Sequence, residues 1–495
     1  MGSTRCFPGL RILAALVVFF FAGGFVPAAP AGFGRRVGGK GSPGYFVIVE
    51  KGVFGNPGWK RVAERLAARH GGRILLWEGD LSRVGKALAS ASPRYAVLVC
   101  PPSQVTRGFV VRVNRCFRGI DRDPFWDVEW GIVTGYNWWD ALALAEWKEP
   151  LLVKRIAAGC GMDLSYVREG VAYSECTPGE MVTKVPGRPP GKGTCPSDTT
   201  RLLVEELNLH RPDAFFTSGH ATNRDWQIGY SYPNGMFRCK EGLLYGIDLK
   251  NRVFPVLSPN PKVYSPAGNC LMGLMGSKET MAAAWLRSAG VKQMTGYVVS
   301  TWFGALWAVN DYFLRLQGRW TFAESFHLCQ QAIVAELVAE YPRFLGTVID
   351  DYDKYERNLN RLWLFARKKK VSSKRVLGLL WDLDTLVLYG DPAWDARLER
   401  VKVPDWSTKV DFDGKRLVFR VETRRDGSWC RFPAALLPFG VKRWKVLEGK
   451  DLNPVVADDY LALPFKGKFR KGEVFQVVLA LEEGKAGGGG KRQGG

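Results

Sequence analysis

Apolar positions follow two rhythms along this chain. Residues 45–49, 73–77, 95–99 and 128–133 are short runs rich in Val, Ile, Leu and aromatic residues. Runs that short and that apolar predict strands buried on both faces. Residues 59–68 and 81–91 instead space their apolar side chains three and four apart, as one face of a helix requires. Another helix is predicted over 138–147. Strands alternating with helices predict a parallel sheet covered on both faces, so residues 44–150 read as the first half of an α/β layer structure.

Between 154 and 197 the periodicity weakens and Gly and Pro accumulate, most densely over 185–191. An irregular surface excursion is expected there. The layer pattern then returns. A helix over 199–207, a strand over 213–218 and strand-forming residues from 262 to 265 are followed by a helix over 279–288 and a strand over 295–300. Helices are predicted over 304–316, 322–341 and about 347–367, and a mixed apolar run over 377–389 closes on Gly390-Asp391-Pro392. Residues 151–395 thus form the second α/β half. Short strand-like segments at 410–412, 416–421 and 474–479 predict a small antiparallel β-sandwich over 396–484. The Gly/Lys-rich residues 485–495 are expected to be a disordered tail.

At 495 residues the chain is too long for one ordinary core. Its 46% hydrophobic content, with 18 Trp and 28 Phe, excludes a mainly disordered protein. A net charge of +22 raises the question of an acidic partner. The charges are dispersed, however, with compact runs only at 367–370 and Lys491-Arg492, and nothing resembles a nucleic-acid-binding module. No nucleic-acid partner is expected.

Arg5 and Arg11 precede an apolar stretch, 12–26, and Ala29-Pro30-Ala31, the pattern of a signal peptide over residues 1–31. A flexible Gly-rich link over 32–43 follows. An uncleaved anchor is the competing reading, but the apolar run is shorter than the ~20 residues that span a bilayer. The mature protein is expected to be secreted, periplasmic or at the cell surface, with no stable membrane span. Nine cysteines remain after Cys6 is removed, so in an oxidising compartment at least one stays unpaired. Cys176 and Cys195 bracket the Pro/Gly-rich loop and are the expected disulfide. No C-x-x-C spacing occurs, which argues against zinc.

Two strand-forming runs end at reactive side chains. The first, 213–218, stops at Gly219-His220-Ala221; the second passes through Pro266-Ala267-Gly268-Asn269 to Cys270. Of the four histidines, His70 and His210 fall at helix ends and His327 inside a long helix, so only His220 has a strand feeding it. A cysteine and a histidine at sheet ends predict a nucleophile with its acid/base partner. Gly268 allows close backbone approach, and the Cys270 N–H supplies half of an oxyanion hole. No G-x-S-x-G, H-E-x-x-H, P-loop or G-x-G-x-x-G occurs.

These residues resemble the gingipain-type cysteine peptidases. Thr217-Ser218-Gly219-His220 is similar to the family's Gly-His-Gly strand end, and Gly268-Asn269-Cys270 to its nucleophile turn. Residues 280–286 and 296–301 resemble the helix and strand that come next, Gly390-Asp391-Pro392 the closing motif, and 127–131 the upstream acidic segment. The resemblance runs in order over about 44–395. Ala221 stands where the family has glycine, and Ile132 where it commonly has arginine.

The resemblance implies an α/β, caspase-like three-layer sandwich with a mostly parallel sheet, followed by a small immunoglobulin-like β-sandwich. It implies an exported cysteine endopeptidase acting on proteins or peptides, with Cys270 as nucleophile, His220 as acid/base and the N–H groups of Ala221 and Cys270 as oxyanion hole. Asp123 falls where basic-specific relatives place the acid of the S1 pocket, which implies cleavage after Arg or Lys. The other reading of Asp123 is a solvated loop acid beside Arg122. No cofactor is required; calcium is expected only as a structural ion. The alternative function is a catalytically inactive, exported binding protein on the same scaffold.

Overall fold

In a computed structural model of the chain, residues 44–437 and 443–481 are described. The expected signal peptide, Gly-rich link and C-terminal tail lie outside the described residues. No helix among the described residues is long and apolar enough to cross a membrane.

One twelve-stranded sheet organises residues 45–389. Its strands are β1 (Tyr45–Glu50), β2 (Arg73–Trp77), β3 (Tyr95–Val99), β4 (Glu129–Val133), β5 (Arg155–Gly159), β6 (Glu169–Tyr173), β7 (Glu180–Lys184), β8 (Gly191–Thr194), β9 (Ala214–Gly219), β10 (Lys262–Asn269), β11 (Val291–Tyr297) and β12 (Leu386–Tyr389). Their order is β2-β1-β3-β4-β12-β11-β10-β9-β5-β6-β7-β8. Strands β1 to β4 pair in parallel, and so do β11, β10, β9, β5 and β6. Strand β12 sits between the two runs, antiparallel to β11 and joined to β4 at one pair, Tyr389 with Ile132.

The two runs open on the same edge. Val105, beyond the carboxyl end of β3, accepts from Gly276 N beyond the end of β10 (2.9 Å). Tyr136, beyond β4, donates to Glu279 beyond β10 (2.7 Å). Helices cover the sheet as right-handed crossovers require. The chain steps outward from β1 to β2 and then back across β1 to β3, which puts helices Pro57–His70 and Ser82–Ala91 on opposite faces. Asn56 caps the first of these through Gly58 N (3.0 Å), just ahead of a proline in its first turn.

The stretch 154–197 differs from the expected excursion, since it contributes four strands, β5 to β8. Strands β5 and β6 are internal but built from small residues, Ala157, Ala158, Gly159 and Gly170, which leave no apolar rhythm to read. A side chain at Gly170 would lie 2.4 Å from the Ile156 carbonyl, so the strand pairing itself selects glycine. Residues 223–261 fold into a small antiparallel sheet, Asp225–Gln227, Met236–Lys240, Leu243–Ile247 and Val253–Pro255. The run at 377–389 divides into helix Lys374–Asp382 and β12.

The described part of the C-terminal region is built of β-strands, with one helical turn at Lys450–Leu452. Strands Trp406–Phe412, Arg416–Thr423, Val474–Leu481 and Trp444–Glu448 form one antiparallel sheet, and Ala434–Leu436, Tyr460–Ala462 and Val455–Val456 another. Trp429 packs on Trp406 (5.3 Å) and Phe469 (4.4 Å) at its centre. The region rests against the α/β part through Tyr460 on Phe125 and a hydrogen bond from Tyr312 to the Phe432 carbonyl.

Candidate active site

Strands β9 and β10 are neighbours, and their pairing ends at Ser218 with Gly268 and Gly219 with Asn269. The next residue of each chain is His220 and Cys270. They therefore leave the same sheet edge side by side, on strands about 4.8 Å apart.

The local sequence enforces this. A Cβ on Gly268 would lie 2.1 Å from Ser218 Oγ, so only glycine lets the two strands close here. Gly219 has φ +110°, outside the range of ordinary side chains, and a Cβ there would meet the Gln227 carbonyl at 2.8 Å. Beneath the pair, Thr217 Oγ1 donates to Asn269 Oδ1 (2.6 Å) and Asn269 Nδ2 donates to the Gly219 carbonyl (2.9 Å). The two strand ends are cross-linked by side chains on both sides of the seam. At the start of β10, the buried Lys262 ammonium is surrounded by oxygens of Ser258, Asn260 and Ala289, which fixes the strand at its other end.

Cys270 is half-buried. Its Sγ accepts from Thr301 N (3.3 Å) and lies 3.5 Å from the Thr301 carbonyl. Burial pushes the thiol up from its ordinary value; the Thr301 N–H pulls it back and the Glu356 carboxylate adds to the rise. Glu356 is fixed in turn by Ser300 N and Oγ (both 2.6 Å) and by an ion pair with Arg107. Arg107 opens the helix after β3 and also donates to the Val298 carbonyl (2.9 Å), so the first run of strands supports the wall beside the cysteine.

His220 is exposed, with its ring stacked on Tyr230 at 4.8 Å. Its side chain makes no hydrogen bond to Cys270 among the described residues. Such a separation does not by itself exclude a catalytic role, since catalytic hydrogen bonds often tighten only when substrate binds. Ala221 bridges Trp226, but the bonds of that bridge, Gln227 N to the His220 carbonyl and Thr222 N to the Asp225 carbonyl (both 2.9 Å), belong to its neighbours. The bridge leaves the Ala221 N–H over. Ala221 also lies outside the positive-φ region, so its methyl group carries no backbone strain.

Asp123 is not brought to this edge. It lies between helix Arg107–Arg118 and the start of β4, at the opposite, amino-terminal end of that strand. Its Oδ1 accepts from Phe125 N (2.8 Å). Burial first, then the neighbouring Asp121 and Asp458, raises its carboxyl to about 6. The assignment of Asp123 to the S1 pocket is therefore corrected, because motif order does not say at which end of a strand a loop emerges. Nearby, Asp121, Asp127 and Asp458 bring three carboxylate oxygens within 4.8 Å of one another. Burial and these like charges raise Asp127 to about 9.

An acid at the same edge as His220 and Cys270 is Glu175, just past β6, which the sequence pattern did not single out. Glu175 Oε2 accepts from Gly161 N (2.7 Å), and its carbonyl accepts from Tyr230 N (2.7 Å), the residue on which His220 stacks. It sits in the stretch expected to be irregular, so nothing marked it as a strand-end residue. Cys176 and Cys195 are not joined; all nine described cysteines are free thiols.

The chain matches no protein-family model and no curated protein. Among solved structures it is similar to the crystal structure of the Arg-specific cysteine proteinase gingipain R. The similarity covers 89% of this chain and 92% of that one, with 10% identity and a TM-score of 0.39. A likeness so loose carries nothing about the chemistry, which rests on the residues described above.

Proposed function

We propose that this protein is a cysteine peptidase of protein or peptide substrates, with Cys270 as nucleophile and His220 as acid/base. The observation that carries the reading is the β9–β10 register, which delivers the two residues together at one sheet edge. Cys270 Sγ attacks the scissile carbonyl carbon as His220 takes the thiol proton. His220 returns that proton to the leaving amine, a thioester remains, and water attacks it to release the acid and the thiol. The Cys270 and Ala221 N–H groups receive the oxyanion, and loss of one such donor costs on the order of 3 kcal/mol of transition-state stabilisation. Glu175, at the same sheet edge, is the acid proposed to meet a basic substrate side chain. The C-terminal sheets take the part of the sandwich domain, and the N-terminal 31 residues direct export.

One observation favours a second reading, a binding protein on an inactive scaffold. The sulfur is turned toward Thr301 and the imidazole toward Tyr230. Two measurements separate the readings. A chloromethyl ketone peptide with arginine at its reactive end should label Cys270, and Cys270→Ala should abolish hydrolysis of a casein or arginyl-peptide substrate. Hydrolysis that survives the substitution sinks the peptidase reading; absence of both labelling and hydrolysis in the wild type supports the second.

A further inference from the structure

A cavity of about 1200 Å³ lies between the α/β part and the C-terminal sheets, at the edge opposite Cys270. Most cations lining it are neutralised: Arg94 by Glu129 and Glu324, Arg397 by Asp395, Arg424 by Glu422 and Lys409 by Asp411. Three are not. Arg319, Arg400 and Lys402 form no ion pair among the described residues.

Arg319 is the most telling of these. Its side chain is half-buried, with the guanidinium 4.7 Å from the centre of the Trp320 ring; Nη1 donates to the Thr408 carbonyl (2.5 Å), and the buried Nε has no hydrogen-bond partner. Burial pulls its pKa down to about 10 against the weaker opposing effect of Glu324. A guanidinium offers five donors in a fork that matches a carboxylate. The Arg400 side chain donates to the Gln317 carbonyl (3.4 Å), and the Lys402 ammonium donates to Ser165 Oγ (2.7 Å) and lies 3.5 Å from the centre of the Tyr166 ring. The segment that carries both is pinned beside Arg319, because Gln317 Oε1 accepts from Val401 N (3.0 Å) and Lys402 N (3.2 Å). The buried indole nitrogens of Trp320 and Trp406, which also line the cavity, have no acceptor. Surplus donors and three cations without an ion pair thus meet in one space, larger than most small-molecule pockets.

We propose that this cavity binds an acidic peptide segment, whose carboxylates are held by Arg319, Arg400 and Lys402. The site is independent of the peptidase reading, since it lies at the other edge of the sheet and uses none of its residues.

The test is fluorescence anisotropy of a labelled ten-residue Glu-rich peptide with the full chain at physiological salt, with the Gln counterpart as control and inorganic phosphate as competitor. Saturable binding of the Glu peptide alone is expected, at least tenfold weaker in Arg319→Met and unchanged in Cys270→Ala. Equal binding of the Gln peptide, unchanged binding in Arg319→Met, loss of binding in Cys270→Ala, or binding of phosphate without the peptide would each overturn the proposal. If Arg319→Met does not fold, the surface pair Arg400→Gln/Lys402→Gln replaces it, and affinity unaltered by that pair overturns the proposal equally.

Discussion

Gly268 has no room for a methyl group, and its neighbour across the seam, Ser218, cannot simply rotate away. The added Cβ would meet Ser218 Cβ at 2.8 Å as well as Oγ at 2.1 Å. Gly268→Ala should therefore push β10 from β9, lower hydrolysis at least tenfold and cost about 1–3 kcal/mol of stability, as overpacking does. Restoring space with Ser218→Gly in the same chain should recover part of both losses, measured by peptide hydrolysis and urea unfolding. Cys270 provides a second test at this scale. Burial holds its thiol above the ordinary 9.0, so the thiolate becomes more abundant only as pH rises past that value. Iodoacetamide modification of Cys270 without substrate should accelerate with pH and show its midpoint above 9.0; a midpoint near 6 would mean that His220 already holds the thiolate.

At the scale of elements, β10 is fixed at both ends, by Lys262 at its start and Asn269 at its finish. Lys262→Met would leave oxygens of Ser258, Asn260 and Ala289 without their shared donor. The expected loss is on the order of 2 kcal/mol in urea unfolding, with faster amide exchange along Lys262–Asn269 than in β1. How legible an element was in the sequence depended on what its neighbours demanded. Strands β1, β3 and β4 were readable because burial on both faces asks for runs of apolar residues; β2 has the same apolar run but is a partly exposed edge strand, not one buried on both faces. Strands β5 and β6 were not, because crowding against adjacent backbone had replaced bulk with Ala and Gly. Strand β11 was expected at 295–300 but begins at Val291, since Lys292 and Gln293 are polar residues with structural work there: Gln293 Nε2 donates to the Asp391 carbonyl (2.7 Å) and Lys292 lies over the Trp147 ring. The side-by-side positions of His220 and Cys270 were readable because a strand visibly ends at each. Glu175 went unread with its strand, and Asp123 was placed at the wrong end of β4 because a list of motifs carries no information about direction through the sheet.

For the whole molecule, the decisive joint is Asp391. It accepts from Tyr45 Oη (2.8 Å), His70 Nε2 (2.7 Å) and Ala393 N (3.0 Å), with Arg69 at 3.6 Å. Burial opposes the charge, yet His70 and Arg69 hold its carboxyl below the ordinary 3.8. A depressed carboxyl contributes stability that is present above 3.8 and lost as pH falls through the lower folded value. Asp391→Ala should cost about 3 kcal/mol at neutral pH, as breaking a buried pair does, and should flatten this acid limb in urea unfolding measured from pH 3 to 7.

The central position of β12 also sets a timetable. Until residue 389 has been synthesised, β4 and β11 each expose an unpaired edge, and the two runs of strands have nothing between them to join. His220 and Cys270 are made well before that point. A nascent chain of this design carries Cys270 in an unfinished sheet for more than a hundred residues of synthesis. It is then most exposed to edge-to-edge aggregation and most in need of a chaperone.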